Sequence, residues 1–515
     1  MADTKLSDYL DSVPLATAPF GVADRVPVVQ SGNVHAMLPS WGGLVVTPQM
    51  FGAVNDLSAD AAPAITSAVE ALGEAGGTLY IPEGFYKIAS PVTIATPVRI
   101  IGAGSGPSAM GGGGTVLRIY EDTFDAITVA CSGACVFEDL SIDTFGLASP
   151  PGNGFAALTL NGDGTIGQPY NEGSHIRNLR ISRAFTSIRV RSAVNYAIDH
   201  CRLIDSISQG IYLSGEGFPG STGDDATGQS TILACVIQGL NYTASDSCIR
   251  YDCGGDVRII GNKLIGADNG VRLLLNRGPT GTVIIVGNSV EEIVTKGVTL
   301  DQAVVNVNFG HLIVDSNQFL NSVVGANQCW VAVGAGVSGT ANRWVIGIVV
   351  KGNVFRSGAG CIDGTVDIQD GQNGIISGNT FWLGALTYPA WNIGTAAVNV
   401  VVGPNSYSDV GSPIVGTAPS GCRVEDTIIG ANAASFSHDF GTVGAGSHVD
   451  YTFALQLAQV GNIVTLGLTA ALPDGLTIQG FVPSPGNITL RVNNSAILGV
   501  ASGTVAGSVS VRRIQ

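Results

Sequence analysis

The sequence predicts an all-β protein built on a right-handed parallel β-helix, and three observations carry that expectation. A six-residue pattern, apolar-x-x-(Leu/Cys/Asn)-x-apolar, recurs nine times. Its copies start 22 to 39 residues apart, as coils with loops of differing length require and as propeller blades or leucine-rich repeats do not. Composition agrees: 71 of 515 residues are Gly and only 12% are charged, about twice and about half the usual usage. With 45% hydrophobic residues and no glycine period of three, the chain is neither disordered nor collagen-like.

Residues 1–47 carry several Pro and Asp and little periodicity, and form a first segment. A helix is expected next. Asp60 can cap it, Pro63 suits its first turn, and Ile65, Val69 and Leu72 fall on one face before Gly76-Gly77. Such a helix would cover the open end of a solenoid spanning 48–430. The nine hexads begin at Phe137, Ile176, Ile198, Ile232, Ile259, Ile285, Val314, Val350 and Ile376. Their apolar ends flank a Gly/Ser-Asn or Cys bend, the pattern of strand, corner, strand. Aligned, they place Cys201, Cys235, Asn262, Asn288, Asn317, Asn353 and Asn379 in one column. Stacked Asn side chains can hydrogen-bond along a ladder, and Asn tolerates the left-handed backbone of a sharp bend. Short alternating strands between Gly, Pro and Asn turns predict a separate C-terminal β-domain, sandwich-like, over 431–515.

Charge excludes some functions. Twenty-four Lys and Arg stand against 39 Asp and Glu, a net of −15, which disfavours nucleic acid. No apolar run approaches the roughly 18 residues that suggest a membrane span. The start, MADTKLSDYL, is polar rather than a secretory signal. The nine Cys form no CxxC pair, so reduced, buried thiols are expected, with neither a metal site nor a cofactor. GAGSGPSAMGGGG (102–114) lacks the order of a dinucleotide fingerprint and is read as a turn after a strand.

Residues 51–86 resemble the opening segment of the pectate-lyase-like β-helix superfamily as found in bacteriophage tailspikes and tail fibres. Phe51-Gly52-Ala53, Asp56, Asp60, Ile65, Gly76-Gly77-Thr78, Pro82-x-Gly84 and Tyr86 carry the resemblance, with Ala61 standing where the family usually has a second acid. Residues 1–47 are similar to the segments that attach phage tail proteins to the particle. The stretch from about Asp439 looks like a small β-domain that closes such proteins. The resemblance implies a homotrimer assembled in the host cytoplasm, joined to phage tail or baseplate proteins through residues 1–47 and resident in the virion. Its implied function is binding of bacterial surface polysaccharide during adsorption.

Hydrolysis of a glycan needs two carboxylates about 5–10 Å apart, which neighbouring coils can supply. The long interval between the hexads at Ile198 and Ile232 holds SGEGFPGSTGDDATGQ, a Gly-rich insertion with Glu216, Asp224 and Asp225. The next coil adds Asp246, Asp252 and Asp256. Glu216 is the candidate general acid, with Asp246 or Asp252 holding water. Asp246 lies in a segment that faintly resembles the paired-Asp segment of polygalacturonases, but Ser245 replaces one acid and the other elements of that motif do not follow, so the mechanism is not carried over. Arg250 and Tyr251 are candidate substrate-binding residues; a lyase would instead want a Lys, Arg or Tyr base beside an acidic sugar, and Arg250, Tyr251 and Arg258 are nearby. The insertion could hold calcium, although its spacing is not that of an EF-hand loop. Trp330 and Trp344 are candidate sugar platforms, followed by Trp382, Tyr388 and Trp391. The competing reading of the whole chain is a non-enzymatic structural or adhesive tail component.

Overall fold

Each hexad folds as a corner between two strands. Its first residue points into the coil from one face, and its sixth points in from the next. Residues 257–275 show a complete turn: strand Val257–Ile260, corner, strand Lys263–Ile265, then strand Asn269–Leu275. The next coil repeats this one rung along, so like pairs with like and every ladder of the solenoid is parallel. The computed structural model describes residues 44–512 apart from 107–112, 153, 163–170, 215–228, 241–244, 253–254, 276–279, 303–308, 321–328, 335–344, 357–364, 383–388, 409–413, 416–421, 425–432, 456–457 and 459–462.

Three faces result, and together they form a right-handed parallel β-helix. Face 1 runs from Leu44–Val46 to Arg423–Val424 and holds the first strand of each hexad. Face 2 is a 13-stranded sheet from Asp56–Asp60 to Ser406–Ser408. Face 3 runs from Val92–Ile94 to Ile414–Val415. Inside face 1, Ile176, Ile198, Ile232, Ile259, Ile285, Val314, Val350 and Ile376 stack in register and are fully buried. Inside face 2 the column ends in rings: Phe319, Phe355, Phe381 and Tyr407 stack at centroid distances of 4.9, 5.1 and 5.3 Å. Each burial contributes about 1.5–3 kcal/mol, and each ring pair about 0.5–1.5 kcal/mol more.

The Asn column is the corner's internal support. The Oδ1 of Asn288 accepts both the backbone N–H and the Nδ2–H of Asn262, at 2.8 and 3.0 Å. The same double bond links Asn288 to Asn317, Asn317 to Asn353, and Asn353 to Asn379. Each Nδ2 also donates to the carbonyl of the residue opening the previous hexad, as Asn317 does to Ile285 at 2.9 Å. The thiols of Cys201 and Cys235 make that last contact instead, to Ile176 and Ile198. The column extends one coil further than the nine hexads, to Asn405, which accepts from Asn379.

Two sequence expectations need correction here. The left-handed residue of the corner is not the Asn but the residue before it. Asp139, Asn178, His200, Ala234, Gly261, Gly287, Ser316, Gly352 and Gly378 all have φ between 50° and 66°. The Asn must be free of that bend because its side chain has to point along the solenoid. Nor is Asp60 the residue that caps the helix Ala62–Leu72: Ala61 occupies that position. The Asp60 carboxylate instead accepts from Ala62 N–H, Ala89 N–H and the Ser90 hydroxyl, tying the helix start to the following strand. The helix buries Ala62, Ala64, Ile65, Ala68, Val69 and Leu72 and packs on the first strands of faces 1 and 3.

Residues 433–512 form two three-stranded antiparallel sheets, 433–439/504–512/463–468 and 448–454/487–494/476–484. Val443, Ile488, Leu490, Val492 and Val509 are the fully buried centre of their core. Among the described cysteines all seven are free, six of them buried. No helix among the described residues is long and apolar enough to cross a membrane.

Candidate functional site

Face 3 carries Arg250, Tyr251, Trp330 and Trp391 and is flanked by Asp246 and Asp252, and alternation decides which side its residues take. In strand Ser247–Tyr251, Ile249 and Tyr251 point into the coil, and Arg250 between them points out. The neighbouring strands repeat that pattern, so Arg189, Tyr212, Arg250, Arg272 and Thr299 form one outward column, each in register with the next. Coil spacing along it is about 4.8 Å.

The acids lock onto this column. Asp252 accepts two bonds from the Arg250 guanidinium, at 2.8 and 2.9 Å, and one from the Tyr212 hydroxyl at 2.7 Å. The Arg250 guanidinium also lies 4.8 Å from the centre of the Tyr212 ring. Burial works against the Arg250 charge, but its bond to Asp252, that carboxylate's charge, and then Tyr212 and Asp246 outweigh it and raise the guanidinium above its ordinary value. Asp246 bridges two coils, 3.5 Å from Arg250 and 2.5 Å from Arg272. Arg272 approaches Asp301 at 3.5 Å, and Asp301 in turn takes Thr299 at 2.9 Å and Lys296 at 3.5 Å. The result is a ledge of alternating cation and anion on a rigid sheet.

This geometry brings Asp246, Arg250 and Asp252 together and separates the others from them. Tyr251 is buried, its hydroxyl donating to the Gly255 carbonyl at 2.8 Å, so it presents nothing to a sugar. Trp330 is 3% exposed and packs against Phe319 inside the coil; its assignment as an open platform is corrected, because strand Cys329–Val333 turns that ring inward. Trp391 is likewise fully buried. Trp382 remains 42% exposed, under the Arg356 guanidinium. Asp256 is spent on the Thr282 N–H, and Arg258 lies outward on face 1. Glu216, Asp224, Asp225, Trp344 and Tyr388 lie outside the described residues.

The sequence reading missed Tyr212 and Arg272. A signal existed: each is flanked by two inward apolar residues, Ile211 and Leu213, Val271 and Leu273, in the same pattern as Ile188-Arg189-Val190. Chemically, the ledge offers guanidinium donors beside carboxylate acceptors, and the Tyr212 oxygen, its proton given to Asp252, as a further acceptor. Asp252, its side chain 6% exposed and already holding three donors, is badly placed to give a proton to a glycosidic oxygen.

Comparison with known proteins agrees with the architecture. The family model described as rhamnogalacturonase A/epimerase, pectate lyase-like, matches residues 47–121. The A-module of the mannuronan C-5 epimerase AlgE6 of Azotobacter vinelandii superimposes with a TM-score of 0.56 at 15% identity, covering 74% of this chain and 99% of that one. The chain therefore shares the parallel β-helix fold, and its pectate-lyase-like family match is confined to residues 47–121. A variant of the DFA-IIIase of Arthrobacter chlorophenolicus A6, in complex with DFA-III, gives 0.49 at 13% identity over 74% of this chain and 99% of that one. A variant of the tailspike of Escherichia coli bacteriophage HK620 gives 0.48 at 10% identity over 96% and 98%. No curated protein matches the sequence.

Proposed function

We propose that this protein is a tailspike-type virion component that binds a bacterial surface polysaccharide along the face 3 ledge. The observation that carries the reading is the outward column of Tyr212, Arg250 and Arg272 with Asp246 and Asp252 fixed between its members. Rigid, preorganised donors and acceptors repeating from coil to coil suit a polymer of hydroxyl-rich units, because little side-chain entropy is lost on binding. The resemblance of residues 51–86 to tailspike openings supports the virion assignment. On this reading residues 1–47 join the phage tail, the chain is a homotrimer, and it contacts host glycan during adsorption.

Binding without cleavage is the reading favoured at the ledge itself, because the candidate carboxylates Asp246 and Asp252 are already engaged by arginine. The test is incubation of the full-length protein with polysaccharide from a susceptible host, reading polymer retention and reducing ends together. Tyr212→Ala and Arg272→Ala are each expected to weaken retention at least fivefold without unfolding the solenoid. Retention unchanged in both folded variants rejects the ledge. Release of reducing ends that Asp252→Asn abolishes would establish a hydrolase at this position instead.

A further inference from the structure

A second charged surface lies on face 2, away from the ledge, and its sign is opposite to that of the chain. Arg180 and Arg202 are register partners on adjacent coils, both on the outward side. Like charges placed directly opposite each other across strands destabilise a sheet. Neither residue, nor Arg183 one step beyond the same strand, has a carboxylate within ion-pairing distance among the described residues. The nearby bends do hold acids: Asp139 is taken by Asn178 at 2.5 Å, and Asp205, which follows the register partner of Ser182 on the next coil, makes no ion pair with Arg183 among the described residues. The Nε of Arg180 is buried with no hydrogen-bond partner.

The patch also has an aromatic floor. Phe145 is 38% exposed, with the Arg183 guanidinium 5.1 Å and the Arg118 guanidinium 6.0 Å from its ring centre. Arg118 is fixed by Asp143, a buried carboxylate it meets at 2.9 and 3.0 Å. Arg183 itself sits at φ 61°, a left-handed corner position that a later coil fills with Gly266 at φ 66°. Three arginines with no ion pair among the described residues, one of them in strained backbone, are an expensive arrangement in a chain with 24 cations and a net charge of −15.

We infer that Arg180, Arg183 and Arg202 form a binding site for a carboxylate-bearing saccharide, with Phe145 as the ring platform. Guanidinium forks match planar carboxylates in bidentate geometry, and the partly exposed Phe145 ring beside them can meet the apolar side of a sugar. The anion's identity as a saccharide rests on the polysaccharide reading above; the site is separate from the ledge.

The test uses three polymers of one backbone: dextran, carboxymethyl-dextran and dextran sulfate. Full-length protein is expected to retain carboxymethyl-dextran at least tenfold better than dextran, with retention falling as salt rises. An Arg183→Ala/Arg202→Ala variant with an unchanged melting temperature is expected to lose that preference, and Tyr212→Ala to keep it. Carboxymethyl-dextran held no better than dextran overturns the site, as does equal retention by the double variant. Dextran sulfate held far better than carboxymethyl-dextran overturns the carboxylate assignment. A double variant that changes only the sedimentation coefficient assigns the patch to contact between copies and overturns the proposal. Loss of host polysaccharide binding through Tyr212 is read separately, so either site can fail alone.

Discussion

Asn262 places two hydrogen bonds on a single oxygen of Asn288, one from its backbone N–H and one from its side-chain amide. That oxygen belongs to the next coil, while the amide's other proton reaches back to Ile232 in the previous coil. One side chain therefore ties three successive coils, inside the corner where water cannot substitute.

Removing a middle member should be costly. Asn317→Ala strands the Asn288 backbone N–H and one Nδ2 proton, and leaves the Ile285 carbonyl short of a donor. Each buried unsatisfied group costs about 1–3 kcal/mol, so a loss of about 2–5 kcal/mol is expected in denaturant unfolding. Asn487, whose amide meets the Ser484 hydroxyl on the exposed outside at 3.2 Å, is the control, and Asn487→Ala should cost less than about 1 kcal/mol. Equal effects would show that the ladder adds nothing beyond its surface counterpart.

Ala234 offers the opposite change. It holds φ 53° at a corner where Gly261 and Gly287 hold 63° and 66°. A left-handed L-residue costs about 1–2 kcal/mol, and glycine loses about 0.5–1 kcal/mol of that advantage to chain entropy. Ala234→Gly should stabilise by about 0.5–1 kcal/mol. A destabilised variant would mean that the Cβ packs usefully despite its backbone.

The hexads were legible because both of their apolar ends are buried and the corner column between them is restricted to Leu, Cys or Asn. Local chemistry and tertiary role coincide there. The tenth corner escaped notice because Pro404 occupies its bend and Tyr407 carries a hydroxyl where the three preceding hexads end in Phe, although Asn405 keeps the ladder. At the ledge, Asp246, Arg250 and Asp252 were legible as a cluster in sequence. Tyr212 and Arg272 were not, because they come from other coils and meet the cluster only through strand register. Trp330 misled because a large aromatic residue looks the same in sequence whether its strand turns it outward or, as here, inward.

Stability should decline in alkali. Burial pushes the Cys248 thiol up to about 12 and the Tyr86 phenol up to about 12, the latter against a bond from Gln49. Unfolded, these groups ionise near 8.5 and 10, so from about pH 9 to 12 the folded state holds more protons than the unfolded one. Stability is then complete below pH 8.5 and falls as pH rises through 12. Melting curves from pH 7 to 11 check this. A transition temperature constant to pH 11 contradicts it, and Cys248→Ala should flatten the slope.

The ledge predicts a measurable coupling. Arg250 and Tyr212 both bond Asp252, whose side chain is only 6% exposed. Arg250→Lys keeps the charge but cannot present the two-pronged donor, and should cost about 1–3 kcal/mol. Tyr212→Phe removes one donor and should cost about 1 kcal/mol. Because each change alters what the other residue's bond is worth, the double variant should depart from the sum by at least 0.5 kcal/mol. Additive effects would mean that Asp252 does not join the two coils, and the ledge would lose the rigidity on which its proposed role in glycan binding depends.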